Sequence, residues 1–232
     1  MSEIVAIVEG QTEQTFVRDQ LAAHLGGRGI TIWAVLSGKT RKRGGAKPWE
    51  STRNDIIRTL KEGRFCTTMF DFYAMPKDWP GREDAGQHSW EYRGDHVEQE
   101  IRQDIENAMG DAFNPTQFIP YVQVHEFEAL LFCETSKLAE VAATLSDRPA
   151  SYFQDKLEQI IEEQGDAEAI NDSFEACPSR RIKKLVPGYR KRLHGPIVAG
   201  RIGLDKLRVV CRHFGAWVEK LERTASGDAP QD

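Results

Sequence analysis

Residues 4–17 read Ile4-Val5-Ala6-Ile7-Val8-Glu9-Gly10-Gln11-Thr12-Glu13-Gln14-Thr15-Phe16-Val17, and the fold turns on how this stretch is read. Five consecutive apolar residues make a run of strand length without alternation, as expected for a strand covered on both faces. The run stops at Glu9-Gly10. Phe16, Val17, Leu21 and Leu25 then recur at helical spacing until Gly26-Gly27 breaks the pattern. A buried strand leading straight into an amphipathic helix is the first half of a strand–helix–strand crossover, with Glu9 at the carboxyl end of the strand.

The pattern repeats outward. Residues 30–36 (ITIWAVL) read as a second strand and 49–60 as a helix carrying Ile56, Ile57 and Leu60. Residues 65–70 (FCTTMF) form a third strand that ends at Asp71, 97–109 a helix, and 117–124 a fourth strand. Pro120 places that fourth strand at an edge or marks a bulge. Residues 74–95 lack any period, a length of irregular chain that points to a functional loop or to a wrongly assigned element. From Glu126 onward the spacing is helical, with segments over 138–145, 153–161 and 203–223. These elements predict an α/β domain over 1–125 with a mostly parallel central sheet. A helical region over 126–223 packs on it, and a disordered tail covers 224–232.

Composition narrows the class. The 232 residues carry 31 Lys and Arg against 36 Asp and Glu, a net charge of −5, and 40% are hydrophobic. That suits a folded chain and excludes disorder. No apolar run approaches the ~20 residues of a membrane span. The acidic, short apolar start is no signal peptide. Cys66, Cys133, Cys177 and Cys211 lie far apart without a CxxC pair, which argues against a zinc ribbon or a secreted disulfide frame. They read as small buried hydrophobes, and the expected compartment is the cytoplasm.

The average charge hides two basic stretches. Lys39, Arg41, Lys42, Arg43 and Lys47 fall in nine residues without an acid. Arg180, Arg181, Lys183, Lys184, Arg190, Lys191 and Arg192 fall in the acid-free segment 178–192. Such runs are commonly solvated surface. Beside an acidic site they become candidate phosphate contacts, with Trp49 and Tyr189 as candidate base-stacking rings.

In open α/β sheets the site lies beyond the carboxyl ends of the strands. The polar residues there are Glu9 and Glu13 after the first strand, Asp71 after the third, and His125, Glu126 and Glu128 after the fourth. Gathered carboxylates repel one another unless a hard cation neutralises them, and Mg²⁺ or Mn²⁺ prefers such oxygen ligands. That chemistry suits phosphodiester hydrolysis. The plainer readings are a helix N-terminal Glu9, a capping Asp71 and a structural His125. His125-Glu126-Phe127-Glu128-Ala129 is not HExxH, because Ala129 stands at the second histidine position. Ser37-Gly38-Lys39-Thr40 is not a P-loop end, because Trp33 replaces the required glycine.

VEGQTEQTFV resembles the first motif of Toprim domains, in which an apolar strand ends in Glu-Gly and opens a helix. Their second motif, Asp-x-Asp, is matched at Asp71 but has Tyr73 as its last residue here. With DFYAMPKDWPG, PYVQVHEFEALLF and PSRRIKKLVPGYRKRLHG, nearly the whole chain is similar to a bacterial family of Toprim-like proteins. The resemblance implies a Toprim-type nuclease acting on DNA or RNA, with Glu9 as metal ligand or acid–base group and Asp71 as metal ligand. A second ion would need Glu126, Glu128 or Asp78. It further implies an AAA- or ABC-type ATPase partner and a role in phage defence; the lack of a long apolar run points to no membrane association, and a homo-oligomer is left open. A weakly catalytic nucleic-acid-binding module and a small-substrate phosphohydrolase or phosphotransferase are the alternatives.

Overall fold

The computed structural model describes residues 2–38, 47–124, 126–165, 168–169 and 177–224. Lys39, Arg41, Lys42, Arg43, His125 and nearly all of the expected tail lie outside the described residues. β1 (Ser2–Val8) runs parallel to β2 (Ile30–Leu36) on one side and to β3 (Phe65–Asp71) on the other. β4 (Phe118–Ile119) and β5 (Val122–Gln123) both pair with β3, again parallel, giving the order β2-β1-β3-β4. This is the mostly parallel α/β sheet with flanking helices that the strand–helix alternation implies. Val8 stands opposite both Leu36 and Met69, and Asp71 opposite Gln123, so the strands end along one edge.

The fourth strand is broken where proline forbids a ladder bond. Around Pro120 the hydroxyls of β3 take over. Thr67 Oγ1 donates to the Ile119 carbonyl at 2.6 Å, and Thr68 Oγ1 both accepts from Tyr121 N at 2.8 Å and donates to its carbonyl at 2.9 Å. The segment thus stays at the sheet edge although its regular pairing is interrupted.

The sheet is covered on both faces, which is why β1 reads as unbroken apolar sequence. Ile4, Ala6 and Val8 face a core shared with Phe16, Leu21, Phe127, Leu130, Phe214 and Trp217. Ile7, Cys66 and Phe70 face α3 (Trp49–Lys61) and α4 (Trp90–Met109). The first core therefore includes both the sheet and the C-terminal helices. Trp217 lies stacked on Tyr121 at 4.3 Å and donates Nε1–H to Thr67 Oγ1 at 2.8 Å.

Several local expectations are corrected. The helix after β1 consists of α1 (Gln11–Phe16), a π-helical segment Val17–Leu21 and α2 (Ala22–Gly26). Residues 74–95 are neither structureless nor a free loop. α4 begins at Trp90, and Met75, Trp79 and Ala85 are buried, with Trp79 Nε1 donating to the Lys47 carbonyl at 2.7 Å. Phe127–Glu134 is a 3-10 helix. α5 (Thr135–Ala143) and α6 (Ala150–Gln164) follow. The second basic stretch, lacking an apolar stripe, hid α7 (Pro178–Leu185) and the start of α8 (Lys191–Ile202). The single closing helix is two, α9 (Leu204–Val210) and α10 (Arg212–Arg223), broken at Cys211. Cys211 forms a disulfide with Cys133, so these two are not the isolated hydrophobes expected, whereas Cys66 and Cys177 are buried thiols outside any disulfide. No helix of the described residues is long and apolar enough to cross a membrane.

Candidate metal and phosphodiester site

Glu9 and Asp71 leave adjacent strands at the same edge, and the chain itself ties them. Asp71 N donates to Glu9 Oε2 at 3.1 Å, while Asp71 Oδ1 accepts from Phe127 N at 2.9 Å. The second bond fixes the start of the 3-10 helix against β3 and brings Glu126 and Glu128 in with it. Glu126 sits over the N-terminus of α7, where it accepts from Ser179 N at 2.9 Å and Ser179 Oγ at 3.2 Å. Glu128 is fully buried. Glu13, one turn into α1, is also buried.

The cation among them is Lys191. Its Nζ lies 2.9 Å from Glu128 Oε2 and 3.3 Å from Glu126 Oε1. It opens α8, which packs across α1 and the 3-10 helix. One ammonium does not balance the group. Neither oxygen of Glu128 accepts a regular hydrogen bond, and the buried Tyr189 hydroxyl that faces it makes none either. Burial, reinforced by Glu9 and Glu13, pushes the Asp71 carboxyl well above the carboxylate range, with Lys191 opposing. Burial also raises Glu128 against the pull of Lys191, and lifts Glu13 to about 7 with help from Glu128. Glu126 is held low: against the effect of burial, Lys191 and Ser179 prevail. Lys191 itself is raised, because Glu128, Asp71 and Glu126 overcome its burial.

Glu13 has a folded pKa above its ordinary 4.5, so the folded chain binds this proton more tightly than the unfolded chain. Its stabilisation is complete below about pH 4.5 and disappears as pH rises through 7. We expect metal-free protein to lose on the order of 2–3 kcal/mol of stability between pH 5 and 8, flattened by Glu13→Gln in thermal unfolding with chelator. What remains in Glu13→Gln belongs to the raised carboxyls of Asp71 and Glu128 and to His213, raised to about 10, whose contribution is lost between about 6.5 and 10.

The other sequence candidates fall in three groups. Lys183, Lys184, Arg190 and Arg192 are exposed, on α7 and beside α8. Arg180, also exposed, acts electrostatically on Tyr73, which also feels Glu126, so this pair stands at the rim of the site. Arg181 is half-buried. Three residues are committed elsewhere. Trp49 is buried against Trp79 with its Nε1–H on Asp104, Tyr189 is buried beside Glu128, and Asp78 accepts from Trp49 N at 2.8 Å. Neither ring is open to a base, and Asp78 anchors the start of α3. The sequence does not mark Ser179, and it offers Tyr189 as a base-stacking ring and Lys191 as a phosphate contact rather than as partners of the carboxylates, because no spacing rule joins 126–128 to 179–191.

Among the described residues, only Asp95, Glu98 and His213 bring three ligand atoms within 4.8 Å of one another, a group that could hold a metal ion. The strand-end carboxylates are spread more widely, around Lys191. In the tighter group His213 Nε2 lies 2.8 Å from Glu98 Oε1 and Nδ1 3.4 Å from Asp95 Oδ1. Glu98 Oε1 also accepts from Val122 N at 2.8 Å. With both ring nitrogens on carboxylate oxygens, His213 is an imidazolium clamp from α10 to α4 and β5. Gly94 leaves room for it, since a Cβ there would meet His213 Nε2 at 2.8 Å.

A parallel α/β sheet with buried carboxylates crowded at its strand ends defines the class. The chain belongs to the family described as Domain of unknown function (DUF4276), whose model matches residues 8–222. No curated protein matches it. Among solved structures it is similar to the C-terminal region of the Xanthomonas campestris pv. campestris OLD protein, at 14% identity and a TM-score of 0.45, over 97% of each chain.

Proposed function

We propose that this protein is a metal-dependent nuclease of Toprim type that hydrolyses phosphodiester bonds in DNA or RNA. One observation carries the reading: Glu9, Glu13, Asp71, Glu126 and Glu128 converge from separate elements with Lys191 as the cation among them, leaving Glu128 without regular donors. Buried oxygens in that condition fit a hard divalent cation. Glu9, Asp71 and Glu128 would hold Mg²⁺ or Mn²⁺, with Glu126 assisting. Such an ion lowers the pKa of bound water and neutralises charge on the leaving oxygen. Glu13, near 7, exchanges a proton at working pH, as an acid–base group should. The exposed cations of 180–192 grip strand phosphates, and an ATPase partner of a defence system controls access.

A second reading has its own observation. Lys191 already occupies part of the acidic group and Tyr73 stands where a second aspartate is expected, which favours a binding module that needs no metal. Labelled single- and double-stranded DNA and RNA incubated with Mg²⁺, Mn²⁺ or chelator separate the two. The nuclease reading expects cleavage with metal and none with chelator. Retained binding without cleavage under every metal condition would leave the binding module.

A further inference from the structure

We propose that Arg82, backed by Arg93 and seated on Phe72, the residue after Asp71, forms a preorganised phosphate site, which takes a non-scissile phosphate of the nucleic-acid strand. This rests on the nuclease reading and names a contact within it that lies outside both basic stretches.

Phe72 directly follows Asp71 and turns to the opposite face of the sheet, into the core of α3 and α4. The Arg82 guanidinium carbon lies 4.1 Å from the Phe72 ring centroid and that of Arg93 lies 5.5 Å from it. Stacking on a ring holds the planar fork in place while its N–H edge stays available, which is how arginine recognises phosphate. Two guanidiniums over one ring repel each other. Arg82 is held below its ordinary value by burial and by Arg93. Its guanidinium makes no hydrogen bond or ion pair with any described residue, although Nε is buried. A partly buried arginine in that state lacks an anion.

The site is rigid. Arg82 stands on the segment anchored by buried Trp79, whose Nε1 is bonded to the Lys47 carbonyl, and Arg82 N donates to the Trp79 carbonyl at 3.1 Å. Gly81 turns the chain at φ +70°, where a Cβ would meet Glu100 Cγ at 2.9 Å. Arg82 and Arg93 on Phe72, and Arg180 beside Tyr73, place cations around the two residues that follow Asp71. A strand presenting one phosphate to the carboxylates meets these cations with its neighbouring phosphates.

The test is binding of a fluorescein-labelled oligonucleotide in chelator, by anisotropy across a salt series, with a parallel thermal-shift titration of inorganic phosphate. Arg82→Gln should weaken oligonucleotide binding about tenfold, as expected for a charged hydrogen bond. It should also reduce the slope of log K against log salt by about 1. Arg82→Lys, which keeps the charge without the fork, should keep the slope and recover part of the affinity. It also serves if Arg82→Gln does not fold. Unchanged affinity and slope in both variants overturn the proposal. An effect of Arg82→Gln on inorganic phosphate alone overturns the strand assignment. Because no metal is present, failure of wild-type cleavage would sink the nuclease reading without touching this result.

Discussion

Asp71→Asn should lower metal-dependent cleavage by at least about a hundredfold, the scale of losing one group that stabilises charge in the transition state. The same substitution should make the metal-free protein more stable. The substitution keeps Oδ1, which accepts from Phe127 N, so the start of the 3-10 helix is preserved. What it removes is a buried carboxyl whose ionisation is disfavoured by its own burial and by Glu9 and Glu13. Glu9→Gln should show the same loss of cleavage, since its Oε2 bond from Asp71 N needs only an oxygen acceptor. Gaining stability while losing activity marks a site under electrostatic strain kept for function. If Asp71→Asn cleaves at the wild-type rate, Asp71 holds no metal and the assignment fails. If it unfolds more readily than wild type in chelator, the carboxylates are not crowded as described.

The parts of this arrangement visible in the amino-acid string are those carried by local pattern. IVAIV marks a doubly covered strand because neither face needs a polar residue, and Glu9 and Asp71 stand out because an apolar run stops at each. Parallel pairing then brings them together without further information. The fourth strand is only half legible. Pro120 announces a break, but the Thr67 and Thr68 hydroxyls that bridge it lie some fifty residues earlier. Residues 74–95 show no period because Met75, Trp79 and Ala85 are spaced to fit a surface made by other elements. Lys191 is the clearest limit. Its neighbours Arg190 and Arg192 are exposed and share its charge, and only the turn of α8 toward Glu128 separates it from them. In the same way Cys133 and Cys211 meet across 78 residues.

Lys191→Met should lower the unfolding temperature of metal-free protein at pH 8 by roughly 4–12 °C. Breaking a buried ion pair by removing one partner costs about 3–5 kcal/mol, because the charge left behind is uncompensated. A third of the Lys191 side chain is solvent-exposed, so screening reduces this to about 2–3 kcal/mol. For a chain of this length each kcal/mol shifts the midpoint by about 2–4 °C. Methionine keeps the unbranched stem and its packing, so the charge is what changes. The deficit should shrink at pH 5, where the raised carboxyls of Asp71, Glu128 and Glu13 take up protons and no longer need a counter-ion. Millimolar Mg²⁺ or Mn²⁺ should restore more stability to Lys191→Met than it adds to wild type, since the ion then faces no resident ammonium. Equal metal-induced shifts in the two proteins would mean that Lys191 and the ion do not share the site. An undiminished deficit at pH 5 would mean that the loss is one of packing, with the carboxylates already satisfied by other donors.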